Sequence, residues 1–250
     1  MPTELESLLR PKVSDAPPFP AKFMQLADGT TMVIRSVERD EIPLLLEYIQ
    51  PLIKVERDYY DIVAARVFAE VLAQYVYRIQ DEYIFIGQIN GELATIVNGR
   101  TLSPGIGVSL HTIAFKRGLQ IGAHGFAAKM EYHMDFLNQD EVMIVAESPI
   151  GFRKFLIGYD LEKRPQVIHE LGGVPSYALT RKTFDKVRGT LVTGRRPVPK
   201  DLLDKAKAEI LPPSDPPVMA GDILAASRSV YDSTGSAFRG QRPKQEMGVK

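Results

Sequence analysis

The residues best placed to do chemistry together lie between Thr112 and Phe126, where the chain reads T-I-A-F-K-R-G-L-Q-I-G-A-H-G-F. An apolar run from Val108 to Phe115 leads into Arg117-Gly118-Leu119-Gln120-Ile121-Gly122-Ala123, and the apolar spacing then becomes helical. A strand that enters a glycine-bearing turn and opens a helix gathers several backbone N–H groups at the positive end of the helix dipole. That is a cradle for an anion. Glycine at 118 and 122 lets a diphosphate approach the backbone with no Cβ in the way, and Arg117 adds a planar cationic fork beside it. Alternatively, the two glycines serve only to let strand and helix pack closely.

Composition narrows the partners. The 250 residues include 31 basic and 31 acidic side chains, so there is no net charge, and the densest basic patch is Arg195-Arg196. Neither nucleic acid nor an anionic membrane surface is therefore an expected partner. The absence of cysteine excludes disulfides, thiolate metal ligands and a cysteine nucleophile. The opening M-P-T-E-L-E-S-L-L-R-P-K lacks the basic start and continuous apolar run of a secretory signal, and no later run is long enough to cross a bilayer. A cytoplasmic protein is expected. The four histidines, at 111, 124, 133 and 169, show no metal-ligand spacing, so no metal site is expected.

The elements that must position the cradle follow from periodicity. Residues 1–22 carry five prolines and form an N-terminal arm. Phe23–Leu26 and Thr31–Arg35 flank Asp28-Gly29, a tight-turn pair, and read as a hairpin. Apolar residues at helical spacing predict a helix over Arg39–Ile53, with Pro43 tolerated in its first turn. A second helix is predicted over Asp58–Tyr77, with Ile62, Val63, Val67, Val71, Leu72 and Tyr75 as its core stripe. Tyr59, Tyr60 and Tyr77 could line a pocket or simply be packed rings. Glu82–Ile89 and Glu92–Asn98 are joined by Asn90-Gly91, the strongest short hairpin signal in the chain.

Thr101–Gly107 reads as a loop, Val108–Phe115 as the central strand, and Gln120–Leu137 as the helix after the cradle. Glu141–Ala146 has the length and β-branched content of a buried strand. A helix is expected directly after it, with Ser148 as N-cap, Pro149 as first residue and an end near Gly158. Gln166–Glu170 and Ser176–Thr183 read as closing strands. This order predicts an α/β chain of the mixed, α+β layer type, not a doubly wound sheet. It divides into an arm at residues 1–22, a domain at residues 23–187, and a Pro-rich extension at residues 188–250 with short helices at Lys200–Ile210 and Met219–Tyr231. The extension is compatible with wrapping a partner subunit of a homo-oligomer and equally with remaining partly disordered; composition does not separate the two.

Over residues 23–187 the element order and the Arg-Gly-Leu-Gln-Ile-Gly turn resemble the GNAT superfamily of N-acetyltransferases. Ile34-Arg35 followed by Asp40 is similar to the family's opening strand and helix start, and Ile89-Asn90-Gly91-Glu92-Leu93 to its second hairpin. Arg117–Gly122 resembles the acyl-CoA pyrophosphate loop, written R/Q-x-x-G-x-G/A, with Gln120 standing at its first glycine. Ser148–Tyr159 resembles the closing helix, with Ser148 in place of the usual asparagine and Phe155 nearest the position of a proton-donating tyrosine.

The resemblance implies a GNAT-like acyl-CoA N-acyltransferase fold: a central mixed, mostly antiparallel sheet flanked by helices. It further implies acetyl-CoA or another acyl-CoA as cosubstrate, and a small-molecule or protein amine as acceptor. The pantetheine arm would lie between the strand ending at Phe115 and the strand ending at Glu147, with the pyrophosphate on Gly118, Leu119, Gln120, Ile121, Gly122 and Ala123. Acyl transfer needs a base, a polarised carbonyl and a departing thiolate. His111, on the central strand, and Glu147, at the end of a buried strand, are the candidate bases, each equally readable as structural. Tyr159 is the candidate proton donor, or a core ring. The alternative on the same fold is a catalytically inactive acyl-CoA-binding or assembly protein held by its proline-rich ends.

Overall fold

The computed structural model describes residues 16–54, 60–116, 118–146, 151–167 and 176–214. Three tight turns set up its antiparallel half. Asp28 caps the first by accepting hydrogen bonds from the Thr30 amide (3.0 Å) and hydroxyl (2.6 Å), and it joins β1 (Lys22–Gln25) to β2 (Thr31–Ser36). Asn90 and Gly91, at φ 54° and 88°, give the twist that β3 (Glu82–Ile89) and β4 (Glu92–Ser103) require. Pro104-Gly105 makes the third, into β5 (Ile106–Ala114). The loop expected over Thr101–Gly107 is therefore mostly strand, because Gly105 alone supplies the positive φ (79°) that reverses the chain.

Between β2 and β3 lie α1 (Ile42–Ile49) and α2 (Tyr60–Tyr75), preceded and followed by short 3-10 turns at Arg39–Glu41 and Gln50–Lys54. After β5 comes α3 (Ile121–Glu131), whose last turn widens to π geometry over Tyr132–Phe136. Then follow β6 (Glu141–Ile144), a π-helical segment (Phe152–Ile157), β7 (Glu162–Arg164), β8 (Ser176–Thr180), α4 (Arg181–Leu191) and α5 (Lys200–Ala208). The eight strands form one sheet in the order β1-β2-β3-β4-β5-β6-β8-β7. Every neighbouring pair is antiparallel except β5 and β6. The expected architecture, a mixed and mostly antiparallel sheet flanked by helices, is the one observed.

Helices α1 and α2 cover one face through Leu45, Ile49, Val67 and Val71 against Ile84, Ile86, Ile96, Ile113 and Phe115. Helix α3 covers the other, with Phe126 and Met130 packed on Val142, Ile144 and Leu179. Gly125 is what lets α3 sit close: a Cβ there would lie 2.8 Å from Val97 Cγ1. Two residues expected in the core stripe of α2, Ile62 and Leu72, are instead 45% and 39% exposed, because the buried stripe runs through Ala64, Val67 and Val71. Tyr77 is also exposed, lying under the Arg39 guanidinium at 3.5 Å. Tyr59 and the side chain of Tyr60 lie outside the described residues.

The C-terminal half departs furthest from expectation. The strand expected over Ser176–Thr183 stops at Thr180, whose hydroxyl accepts from the Thr183 amide and caps α4. Phe184 and Leu191 of that helix are buried, so the expected division at 187/188 falls inside an element of the core. The next stretch is packed as well. Arg195 bridges Phe23, α5 lays Ala206 on Val33, and Leu211 takes the Leu93 amide at 3.0 Å. Strand β7 precedes the strand expected at Gln166–Glu170; residues 168–170 of the latter, the cap at Ser148-Pro149 and the helix at Met219–Tyr231 lie outside the described residues.

Two buried ionic clasps tie this segment to the sheet. Arg35 is fully buried, paired through two nitrogens to Glu41 (2.8 and 2.6 Å) and bonded to the carbonyl of Ala206 (2.8 and 3.1 Å). Glu131 receives Lys22 at 2.7 Å and Arg196 at 2.7 and 3.0 Å. Burial alone would raise the Glu131 carboxyl, but the Arg196 hydrogen bonds and the Lys22 charge outweigh it and hold the group below its ordinary range. Replacing Glu131 by Ala strands two cations and is expected to cost about 3–5 kcal/mol, read as a lower urea midpoint. A chain ending at Leu191 should lose its cooperative melt, since Val198, Ala206 and Ile210 would leave the core.

Candidate active site

The site begins with one extra residue. Along β4, Val97 to Gly99 spans two steps; opposite them, β5 takes three, from Thr112 to Ser109. The bulge this forces at Leu110-His111 takes the His111 peptide out of the regular ladder. Its amide donates instead to Asn98 Oδ1 at 2.9 Å, and its carbonyl accepts from Lys129 Nζ at 2.9 Å. Asn98 comes from β4 and Lys129 from α3, and both are buried. The bulge is thus pinned by side chains.

Here too the sheet parts. Strands β5 and β6 pair only from Ile106–Ser109 to Glu141–Ile144, and among the described residues β5 beyond that pairs with β4 alone. Phe115 donates its amide to Ala94 of β4 (2.8 Å), so by alternation the Thr112 peptide groups point the other way, toward the space that β6 has left.

On the α2 side of the bulge lies a polar cluster. The His111 side chain is buried, with Nε2 3.2 Å from Glu70 Oε1. Asn98 Nδ2 donates to Glu70 Oε2 at 2.5 Å and to Glu82 Oε1 at 2.6 Å. Burial, with the Glu70 charge added, raises the Glu82 carboxyl to about 8, so at neutral pH Glu82 carries a proton. Its second oxygen is buried with no hydrogen-bond partner among the described residues. Glu70 is the member that reaches solvent, with 18% of its side chain exposed. The arrangement can accept a proton at Glu70 and pass it to an imidazole, the side chain that ordinarily titrates nearest neutrality.

The cradle follows directly on β5. Gly118 has φ +90° and Gln120 is left-handed at φ 58°, ψ 26°, where glycine would be unstrained. Gln120 accepts the amides of Ala123 and His124 on its carbonyl (2.9 and 3.1 Å), and no side chain caps α3. A Cβ on Gly122 would meet Ala114 and Thr112 at 3.7 and 3.9 Å, ordinary contact, so packing does not require glycine there, in contrast to Gly125.

The remaining expected residues are dispersed. Phe115 is a core ring on the α2 side, not a surface for a ligand. Tyr159 lies at the α3 layer, stacked with Phe126 at 6.5 Å, and burial raises its phenol; the sheet separates it from the His111 side chain. Phe155 stacks on the same ring at 4.1 Å. His124 bonds Thr193, and His133 is held neutral, its pKa lowered to about 3 by burial, between Tyr83 and Gln139. Arg117 and Glu147 lie outside the described residues. Glu70, Glu82 and Asn98 were missed, although Asn98 left a signal as a polar residue within the apolar run T-I-V-N-G.

Comparison with known proteins adds a likeness of shape. No protein-family model matches the chain, and no curated protein matches it. Among solved structures it is similar to an uncharacterised protein from Bacillus halodurans, at 10% identity and TM-score 0.49, over 68% of this chain and 95% of that one. It is also similar to the aminoglycoside acetyltransferase AAC(6')-Ib in complex with coenzyme A and kanamycin, at 17% identity and TM-score 0.44, over 63% and 99%. A third is the SpeG spermidine N-acetyltransferase from Vibrio cholerae, at 11% identity and TM-score 0.42, over 61% and 95%. No helix among the described residues is long and apolar enough to cross a membrane.

The Glu70–Glu82 pair makes stability depend on pH with a definite sign. A folded carboxyl raised from 4.5 to about 8 binds more protons than the unfolded chain across that window, so stability falls as pH rises through it. Glu82→Gln should abolish that decline and stabilise the protein at pH values above 8, as read by urea melts across the range.

Proposed function

We propose that the protein is a CoA-dependent N-acyltransferase, most simply an acetyltransferase, that moves an acyl group from a CoA thioester to an amine. The parting of β5 from β6 at a bulge carrying His111, directly before an uncapped helix start, supports it most strongly. The residues present fit an acyl-CoA. Gly122 is free of any packing need for glycine, and the first amides of α3 have no partner within the helix. The cosubstrate would supply the activated acyl group.

The chain's own groups then have assignable tasks. Amides from Gly118 to Gly122, with the positive end of α3 and the Arg117 side chain, bind the diphosphate; Ala123, expected among them, gives its amide to the Gln120 carbonyl instead. The edge of β5 at Thr112 offers backbone groups to an extended arm. Glu70 Oε1 and Oε2, already oriented by His111 and Asn98, accept the proton of the incoming ammonium, and His111 Nε2 can take it onward. We place the whole site within residues 23–187, with residues 192–214 bracing the sheet.

A second function on the same site is acyl-CoA binding without transfer. It is favoured by one observation: Tyr159, the expected donor to a departing thiolate, is packed on Phe126 across the sheet from His111. Turnover of acetyl-CoA with a panel of primary amines, beside calorimetry of the same protein, separates the two. Transfer supports the enzyme, binding without transfer supports the binder, and no binding contradicts both. In the enzyme, Glu70→Gln and His111→Gln should each leave acetyl-CoA affinity nearly unchanged while at least one lowers kcat. Arg117→Ala should weaken binding about 10- to 100-fold, less at high salt, and Gly122→Val should weaken it as well. Gln120→Gly should relieve the left-handed strain and tighten binding, provided the turn stays ordered.

A further inference from the structure

Helix α2 is apolar on two sides. Its inward side, Ala64, Val67 and Val71, is buried against the sheet. Its outward side presents Ile62, Ala65, Ala69, Leu72 and Val76, all apolar and all exposed, and the amide of Val76 still bonds the carbonyl of Leu72 at 3.0 Å, one turn back. Ile62, Leu72 and Val76 keep 45%, 39% and 50% of their surface open to solvent. A solvent-facing helix side is ordinarily polar. The spacing here alternates three and four residues, which is the seam of two helices packed on one another.

We propose that a second copy of this chain covers the seam, with the two α2 helices antiparallel about a two-fold axis near Ala69. The inference is independent of acyl transfer. Size complementarity is one support: in that order Ala69 meets Ala69, Leu72 meets the smaller Ala65, and Ile62 meets Val76, so large faces small next to the axis and the patch is complementary to itself. Charge is the other. Asp61 lies in the first turn of the helix and Arg78 three residues past its last, and antiparallel order brings each aspartate to the end of the partner helix where that arginine lies. Parallel order would set like charges together, which is unfavourable, and would align the helix dipoles head to head.

Sedimentation equilibrium of the full chain tests this. Twice the chain mass, dissociating on dilution, is expected for the parent. Leu72→Glu combined with Val76→Glu should give one chain mass with the circular dichroism and melt retained, since both positions face solvent. Asp61→Arg alone should weaken the dimer about tenfold, and adding Arg78→Asp should restore it. A monomeric parent, a dimer that survives the double glutamate variant, or a charge exchange that fails to recover association would each overturn the proposal.

Discussion

The backbone of one residue governs how the middle of this sheet is used. The extra residue in β5 removes the His111 amide and carbonyl from the ladder, and two buried polar groups without partners would cost several kcal/mol in such a place. Asn98 and Lys129 satisfy them. Each of those side chains is itself charged or strongly polar, so each imposes further demands. Asn98 has two amide hydrogens to place, and Glu70 and Glu82 take them. Burial first, and the neighbouring Glu70 second, keep the proton on Glu82, while Glu70 is the member that reaches solvent. The group proposed to accept a proton thus follows from the geometry of a bulge.

A sheet that parts in the middle needs holding elsewhere. Beyond Ser109 β5 has β4 as its strand neighbour among the described residues, and the force against further opening comes from α3 and from what grips it. Glu131, at the end of α3, is clasped by Lys22 from β1 and by Arg196 from the segment after α4. Arg196 also lies over the Phe19 and Phe136 rings at 5.2 Å, binding the arm, the π turn and the later segment in one place. On the opposite face Arg35 ties α5 to β2. The chain after Leu191 is therefore a brace for the layer that carries the cradle.

Much of this was legible in the sequence. Asp28-Gly29 and Asn90-Gly91 announced their hairpins because each needs a conformation that few residues tolerate, and Gly118 marked the turn before α3 for the same reason; Gln120, read as the first residue of that helix, is left-handed instead. What stayed hidden depends on contacts between residues distant in the chain. Nothing local to Glu70 or Glu82 shows that Asn98 joins them, and the proline spacing after residue 191 conceals Val198, Ala206 and Ile210 as core residues. Tyr159 and Phe115 were misleading because an aromatic at the right sequence position can face either layer. Ile62 and Leu72 follow a helical period that fits two sides of α2 equally well.

Amide hydrogen exchange of the full chain with and without acetyl-CoA tests the central claim most directly, because it reports each backbone group of the parting and of the cradle separately. Slower exchange confined to residues 110–114 and 118–123 on adding acetyl-CoA is the predicted result. Unchanged exchange in both stretches at saturating acetyl-CoA, or protection that appears only elsewhere, would contradict the account.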